Sequence, residues 1–187
     1  MTDGLSFLRG VLHRAADSDT SPPSLAEIGL NHFAPYLINR IAAKWNAELA
    51  GDLRRFNLTT PQMRALAVLG INSGLTINEI SVLSVTEQST MSRTLDLLEE
   101  RGLVRRKPRA SDLRVREVEI TAEGRETFAS FWPVMLTHYQ RMFRDIGEDE
   151  FAQLITTLQK ILRNIRLADE DLKLSLAPTH VEESDKN

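Results

Sequence analysis

Gln88, Ser89, Thr90, Ser92 and Arg93 place five polar, donor-bearing side chains within six consecutive positions. On a helix turning about 100° per residue, Gln88, Ser89, Ser92, Arg93 and Asp96 share one arc, and Met91, Thr94, Leu95 and Leu98 share the opposite one. The chemistry open to the polar arc is recognition, because no spacing sets a general base beside either serine. The Arg93 guanidinium can pair with O6 and N7 of guanine, and Gln88 can read adenine. The hydroxyls of Ser89, Thr90 and Ser92 can meet a phosphate, a base edge or a thymine methyl. A plain solvated helix face has the same composition, and the helix alone does not separate the two.

The residues that follow shift the balance. Arg101, Arg105, Arg106, Lys107, Arg109, Arg114 and Arg116, with Asp112 as the one acid, give net +6 from Arg101 to Arg116, although the 187-residue chain carries −3 overall. Val104–Lys107 and Val115–Ile120 read as two strands, joined by a loop from Pro108 to Leu113. Arg109 and Arg114 flank that loop, and a basic ribbon tip suits a narrow minor groove. Arg105 and Arg106 are expected to reach DNA beside them. Asp112 is an anion and a poor phosphate neighbour. Its expected task is to hold Arg114, or an arginine of the adjoining strands, by a charge-assisted hydrogen bond.

These side chains need elements to position them. A long helical pattern runs from Leu25 to about Arg55, with Asn31 able to cap it and Pro35 in its first turn. Thr60 caps the next helix, with Pro61 at its first position. Thr76 and Glu79 form a capping box for a short helix ending near Leu83. Ser84-Val85-Thr86 is a tight connection, Thr86 can cap the polar-faced helix, and Gly102 ends it. A helix from Thr121 to about Asp145 contains Pro133, which is expected to bend it or mark a local irregularity, and a last one runs from Glu148 to about Leu167. The expected fold is mainly α with a small β-wing. It comprises a winged helix-turn-helix lobe over 58–121 and dimerisation helices over 25–57 and 122–167. A flexible arm over 1–24 and an acidic tail over 168–187 flank this single domain of residues 25–167.

The chain resembles the MarR family of bacterial transcription regulators. The likeness is carried by Leu58-Thr59-Thr60-Pro61-Gln62, Leu75-Thr76-Ile77-Asn78-Glu79-Ile80 and Ser89-Thr90-Met91-Ser92-Arg93. It continues through Leu98-Glu99-Glu100-Arg101-Gly102-Leu103-Val104-Arg105-Arg106, Asp112-Leu113-Arg114 and Ile120-Thr121-Ala122-Glu123-Gly124-Arg125. The resemblance implies a homodimer with interlocked terminal helices that binds a pseudo-palindromic operator in double-stranded DNA. It also implies a repressor released by a small ligand such as an aromatic acid. The chain departs from many relatives at Val85, where they carry glycine in the turn. A β-branched residue disfavours φ > 0, so a different turn geometry is expected. With no cysteine, the peroxide-sensing mechanism of some members does not apply.

Candidate ligand residues are His32, Tyr36, Arg40, Met63, Arg64, Trp132 and Met135, with Trp45, His138 and Tyr139 nearby in sequence. Arg40 or Arg64 can hold a carboxylate or phosphate, and the aromatic and methionine side chains can line an apolar cavity. Trp45 lies on the apolar stripe and is expected in the core. The first and last long helices bear apolar stripes larger than the lobe can cover, which independently argues for a partner copy. His13, His32, His138 and His180 have no metal-ligand spacing, and there is no Gly-rich phosphate loop. No enzyme activity, cofactor or metal is expected. No membrane span is expected either, and the missing cysteines and signal peptide fit a cytoplasmic protein. A winged-helix module that binds protein, or a regulator without a ligand, is the rival reading.

Overall fold

The computed structural model describes residues 25–166. The expected arm over 1–24 and the acidic tail over 168–187 lie outside them. The chain divides into two compact units, Met1–Met63 and Arg64–Asn187.

In the first unit the expected single helix is divided. α1 (Leu25–Ile28) is followed by a 3-10 turn, Leu30–His32, and then by α2 (Ala34–Leu53). Gly29, at φ 73°, makes the break, a left-handed conformation that glycine adopts without steric cost. Asn31 falls inside the 3-10 turn, and the N-cap position of α2 is the extended Phe33, with Pro35 in the first turn as expected. Leu49 and Leu53 are buried, whereas Leu37, Ile38 and Ile41 are exposed. Trp45 is half-buried instead of sitting in the core.

The next helix, α3 (Thr60–Ile71), spans the division between units. Its cap is Thr59, one residue before the expected Thr60. The Thr59 amide donates to Gln62 Oε1 at 2.9 Å, and the Gln62 amide donates back to Thr59 Oγ1 at 3.4 Å. Only Thr59 stands three residues before the glutamine, the spacing this reciprocal pair needs.

In the second unit α4 (Ile77–Leu83) begins with the expected capping box. The Thr76 amide donates to Glu79 Oε2 at 2.7 Å and the Glu79 amide to Thr76 Oγ1 at 3.3 Å. α5 (Gln88–Glu100) packs on α4. It has Glu87 at its N-cap position and no side-chain cap. Thr86 does not cap it: the Thr86 amide already closes the end of α4 on Ser81 O at 2.9 Å, and its hydroxyl donates to Ser84 O at 3.2 Å. Gly102, at φ 71°, ends α5 as expected. The Leu103 amide reaches Leu98 O and the Gly102 amide reaches Glu99 O, both at 2.9 Å, the bonding of a Schellman motif.

β1 (Val104–Arg109) and β2 (Asp112–Ile120) form an antiparallel ribbon, in register from Val104↔Ile120 to Pro108↔Arg116, with a shift before Arg109↔Asp112. Both strands outrun expectation, so the connection shrinks to Ala110 and Ser111. Leu75 bridges to Val118, which ties the residues before α4 to the ribbon. α6 (Ala122–Met142) is capped by Thr121, whose Oγ1 accepts from the Gly124 amide at 3.0 Å. It runs through Pro133 without interruption and stops three residues short of Asp145. α7 (Glu148–Arg166) follows, and where α6 gives way to α7 the Phe143 ring lies 4.9 Å from both Tyr139, tilted, and Phe151, edge-on. Leu66, Leu69, Ile80, Met91, Leu95, Leu98, Val118 and Phe131 are fully buried in this unit. Among the described residues no helix is long and apolar enough to cross a membrane.

Candidate nucleic-acid interface

The wheel expected for α5 is the one observed. Met91, Thr94, Leu95 and Leu98 are buried, and the Thr94 hydroxyl donates to Thr90 O at 2.8 Å. Gln88, Ser89, Thr90 and Arg93 are exposed, and Ser92 is half-buried at the margin. The buried stripe fixes the helix, and its N-terminal half presents the donors outward, the half a recognition helix inserts into a major groove.

The basic ribbon is largely occupied with itself. Arg105 donates to Glu119 Oε2 through Nε at 3.1 Å and Nη2 at 2.9 Å, and Lys107 pairs with the other oxygen of Glu119. Lys107 first, then Arg105, hold the Glu119 carboxyl below its usual range. Arg106 reaches across from β1 to α5, where it pairs with Glu99 and with Asp96 at 2.6 Å. Burial works against that guanidinium's charge, but the hydrogen bonds to Asp96 and Glu99 prevail and raise its pKa. Arg109 donates through Nε to Glu117 at 2.5 Å and lies 3.7 Å from Glu79, so it spans from ribbon to α4. Its pKa is raised, chiefly by the Glu117 hydrogen bond. Arg105, Arg106 and Arg109, expected as DNA contacts, are thus placed in ion pairs within the unit.

Asp112 also differs from expectation. Its Oδ1 accepts from the backbone amide of Arg114 at 3.0 Å, so it fixes the turn of the chain and leaves the guanidinium loose. Among the described residues, exposed Arg93, Arg114 and Arg116 enter no ion pair. Arg116 was missed as a candidate contact. The signal was available, since strand alternation places it on the same ribbon face as Arg114.

The turn before α5 keeps the left-handed geometry that Val85 was expected to abolish: Val85 itself sits at φ 51°. The Val85 amide bonds Val82 O at 3.2 Å and the Thr86 amide bonds Ser81 O at 2.9 Å, a Schellman end like that at Gly102. Arg64 Nη1 donates to Ser84 O and to Val85 O, each at 3.2 Å. Arg64 was expected at a ligand.

Two of the other ligand candidates meet. Trp132 and Met135 line a cavity of about 360 Å³ with Ile71, Ile120, Phe128 and Arg125. The cation there is Arg125, which is not among the residues expected at a ligand. Tyr36 and Arg40 pair within α2, Nη1 to Oη at 2.9 Å; His32 is exposed and Met63 buried in the same unit. His138 is contacted by Arg141 at 3.0 Å.

A helix pair with a tight turn, an exposed donor face on the second helix and a two-stranded ribbon beyond it define a winged helix-turn-helix protein. Residues 56–114 match the MarR family model. A transcriptional regulator of that family from Silicibacter pomeroyi has a solved structure similar to this one, with TM-score 0.73 and 43% identity over 78% of this chain and 98% of that one. The transcriptional repressor IacR of Pseudomonas putida is 27% identical over 76% of this chain and 86% of its own. The transcriptional regulator HosA of Escherichia coli O157:H7 is 31% identical over 70% of this chain and 93% of its own. The chain belongs to the MarR family and is a DNA-binding transcriptional regulator.

Proposed function

We propose that the protein is a cytoplasmic homodimeric repressor that binds a pseudo-palindromic operator and releases it when a small apolar anion binds. The observation that carries the DNA-reading part is the exposed face of α5, with Gln88, Ser89, Thr90 and Arg93, in the same unit as the uncommitted Arg114 and Arg116. Gln88 and Arg93 read base edges, the hydroxyls of Ser89, Thr90 and Ser92 settle the register, and Arg114 and Arg116 follow the minor groove. Arg105, Arg106 and Arg109 act through their ion pairs by holding the ribbon's shape.

Repression has the support of IacR, a repressor by name. Dimerisation through 25–57 and 122–167 has the support of exposed apolar residues within each segment. These are Leu37, Ile38 and Ile41 in the first, and Leu136, Met142, Leu162 and Ile165 in the second. A two-fold pair would set two recognition helices about 34 Å apart, one turn of DNA. The cavity of Phe128, Trp132 and Met135 suits an aromatic body, and Arg125 suits a carboxylate.

Footprinting on the promoter fragment upstream of the protein's own gene tests the proposal. Protection of two half-sites separated by a whole helical turn is expected, lifted by an aromatic carboxylate in wild type but not in Arg125→Ala. Binding that is indifferent to sequence would refute operator recognition. Release that persists in the variant would refute the cavity.

A further inference from the structure

We propose that Arg64 is a positioning residue for DNA recognition: from α3 it clamps the strained Val85 turn and so fixes the start of α5. The inference rests on the reading of α5 as the DNA-reading helix.

Val85 occupies the left-handed position of the turn, where a residue with a Cβ is strained and a β-branched one more so. Its side chain is 82% exposed, so packing of that side chain does not hold the conformation. The backbone must be held by other groups. α4 supplies no basic residue in its own last turn, although a helix C-terminus favours a cation on its open carbonyls. Arg64 brings that cation from another helix. One nitrogen donates to both Ser84 O and Val85 O at 3.2 Å, the carbonyls of the α4 C-cap and of the residue after it, at the helix end where negative partial charge accumulates.

The consequence for recognition follows from how α5 begins. It has no side-chain cap of its own, because Thr86 is committed to closing α4. The buried stripe that fixes α5 begins only at Met91, so its first turn, which carries Gln88, Ser89 and Thr90, also depends on the backbone of Ser84–Glu87 for its direction. A clamp on that backbone sets the angle at which the readers are offered. In this account Arg64 touches neither base nor phosphate.

The test measures binding of the full chain to its own-promoter fragment and to random duplex, at several salt concentrations. It uses wild type, Arg64→Ala, Arg64→Gln, Val85→Gly and the double variant Arg64→Ala/Val85→Gly. Losing a charge-assisted pair should weaken specific binding by about tenfold or more, with the slope of log K against log salt unchanged. Glycine removes the strain at position 85, so the double variant should regain most of the lost affinity. Arg64→Gln, which keeps a donor without the charge, should fall between and covers the case in which Arg64→Ala does not fold. Full affinity in Arg64→Ala or Arg64→Gln overturns the proposal. So does a double variant as weak as Arg64→Ala alone, or a slope reduced by about one per copy, the mark of a lost phosphate contact. If wild type itself binds the fragment no better than random duplex, the operator reading fails first and this one with it.

Discussion

Arg93 and Arg114 stand apart from Arg105, Arg106 and Arg109 because their guanidinium groups are not already engaged in ion pairs. An arginine locked between carboxylates would have to break those pairs before it met a phosphate, whereas a loose one gains the contact outright. Arg93→Ala should cost about 1–3 kcal/mol of operator binding and relax base preference at one position, read by competition among single-base operator variants. A variant with unchanged affinity and preference would remove Arg93 from the interface. Arg114→Ala should weaken binding to all sequences, most in A·T-rich flanks, and reduce the salt slope by about one per copy. Arg106→Ala should instead leave that slope alone and lower the melting temperature, because Arg106 ties β1 to Asp96 and Glu99 of α5. Glu119 adds a pH dependence. Its carboxyl is held below the usual range by Lys107 and Arg105, so its contribution is complete above the ordinary glutamate value of about 4.3. It is lost only as pH falls through the lower, folded value. Carbon-13 titration of the Glu119 carboxyl should place its midpoint beneath that of a free glutamate, and a midpoint at or above it would contradict the ion pairs.

Among the elements, α4 and α5 end in the same backbone motif with different residues, Val85 in one and Gly102 in the other. Val85→Gly should therefore stabilise the protein by about 1 kcal/mol, a gain of roughly 2–4 °C for a chain of this size. A lower melting temperature would mean that the valine is not strained. The sequence made most elements legible, because α5 shows a clean apolar stripe and Thr76 stands three residues before Glu79. Its errors have local causes. The intrinsic preference of Val85 argues against a left-handed turn, but the turn is held by amide hydrogen bonds to Val82 O and Ser81 O and by the donor Arg64, and no local pattern displays the last of these. The cap expected at Thr60, beside Pro61, falls at Thr59, because Gln62 three residues on completes the reciprocal pair. The basic window closed at Arg116, so it omitted Glu117 and Glu119, which neutralise much of the ribbon. Pairing across a hairpin depends on register, and the expected six-residue loop blurred it.

On the scale of the whole molecule, the exposed apolar residues of α2, α6 and α7 are the surface that the proposed dimer would cover. Sedimentation at micromolar concentration should give the mass of a dimer, and a monomer would contradict the proposed partner copy. Gly124 bears on how such an assembly can move. A Cβ there would lie 2.1 Å from Leu103 O and 2.8 Å from Ile120 Cγ1, so the first turn of α6 is pressed against the root of both strands with no slack between them. Joints that lack slack do not hinge. Any tilt imposed on the near end of α6 must swing the ribbon by the same angle, as a crank turns its arm. Arg114 lies about six residues out along β2, roughly 20 Å from that root. A rotation of ten degrees would then carry the wing tip some 3–4 Å sideways, about the length of one hydrogen bond to DNA.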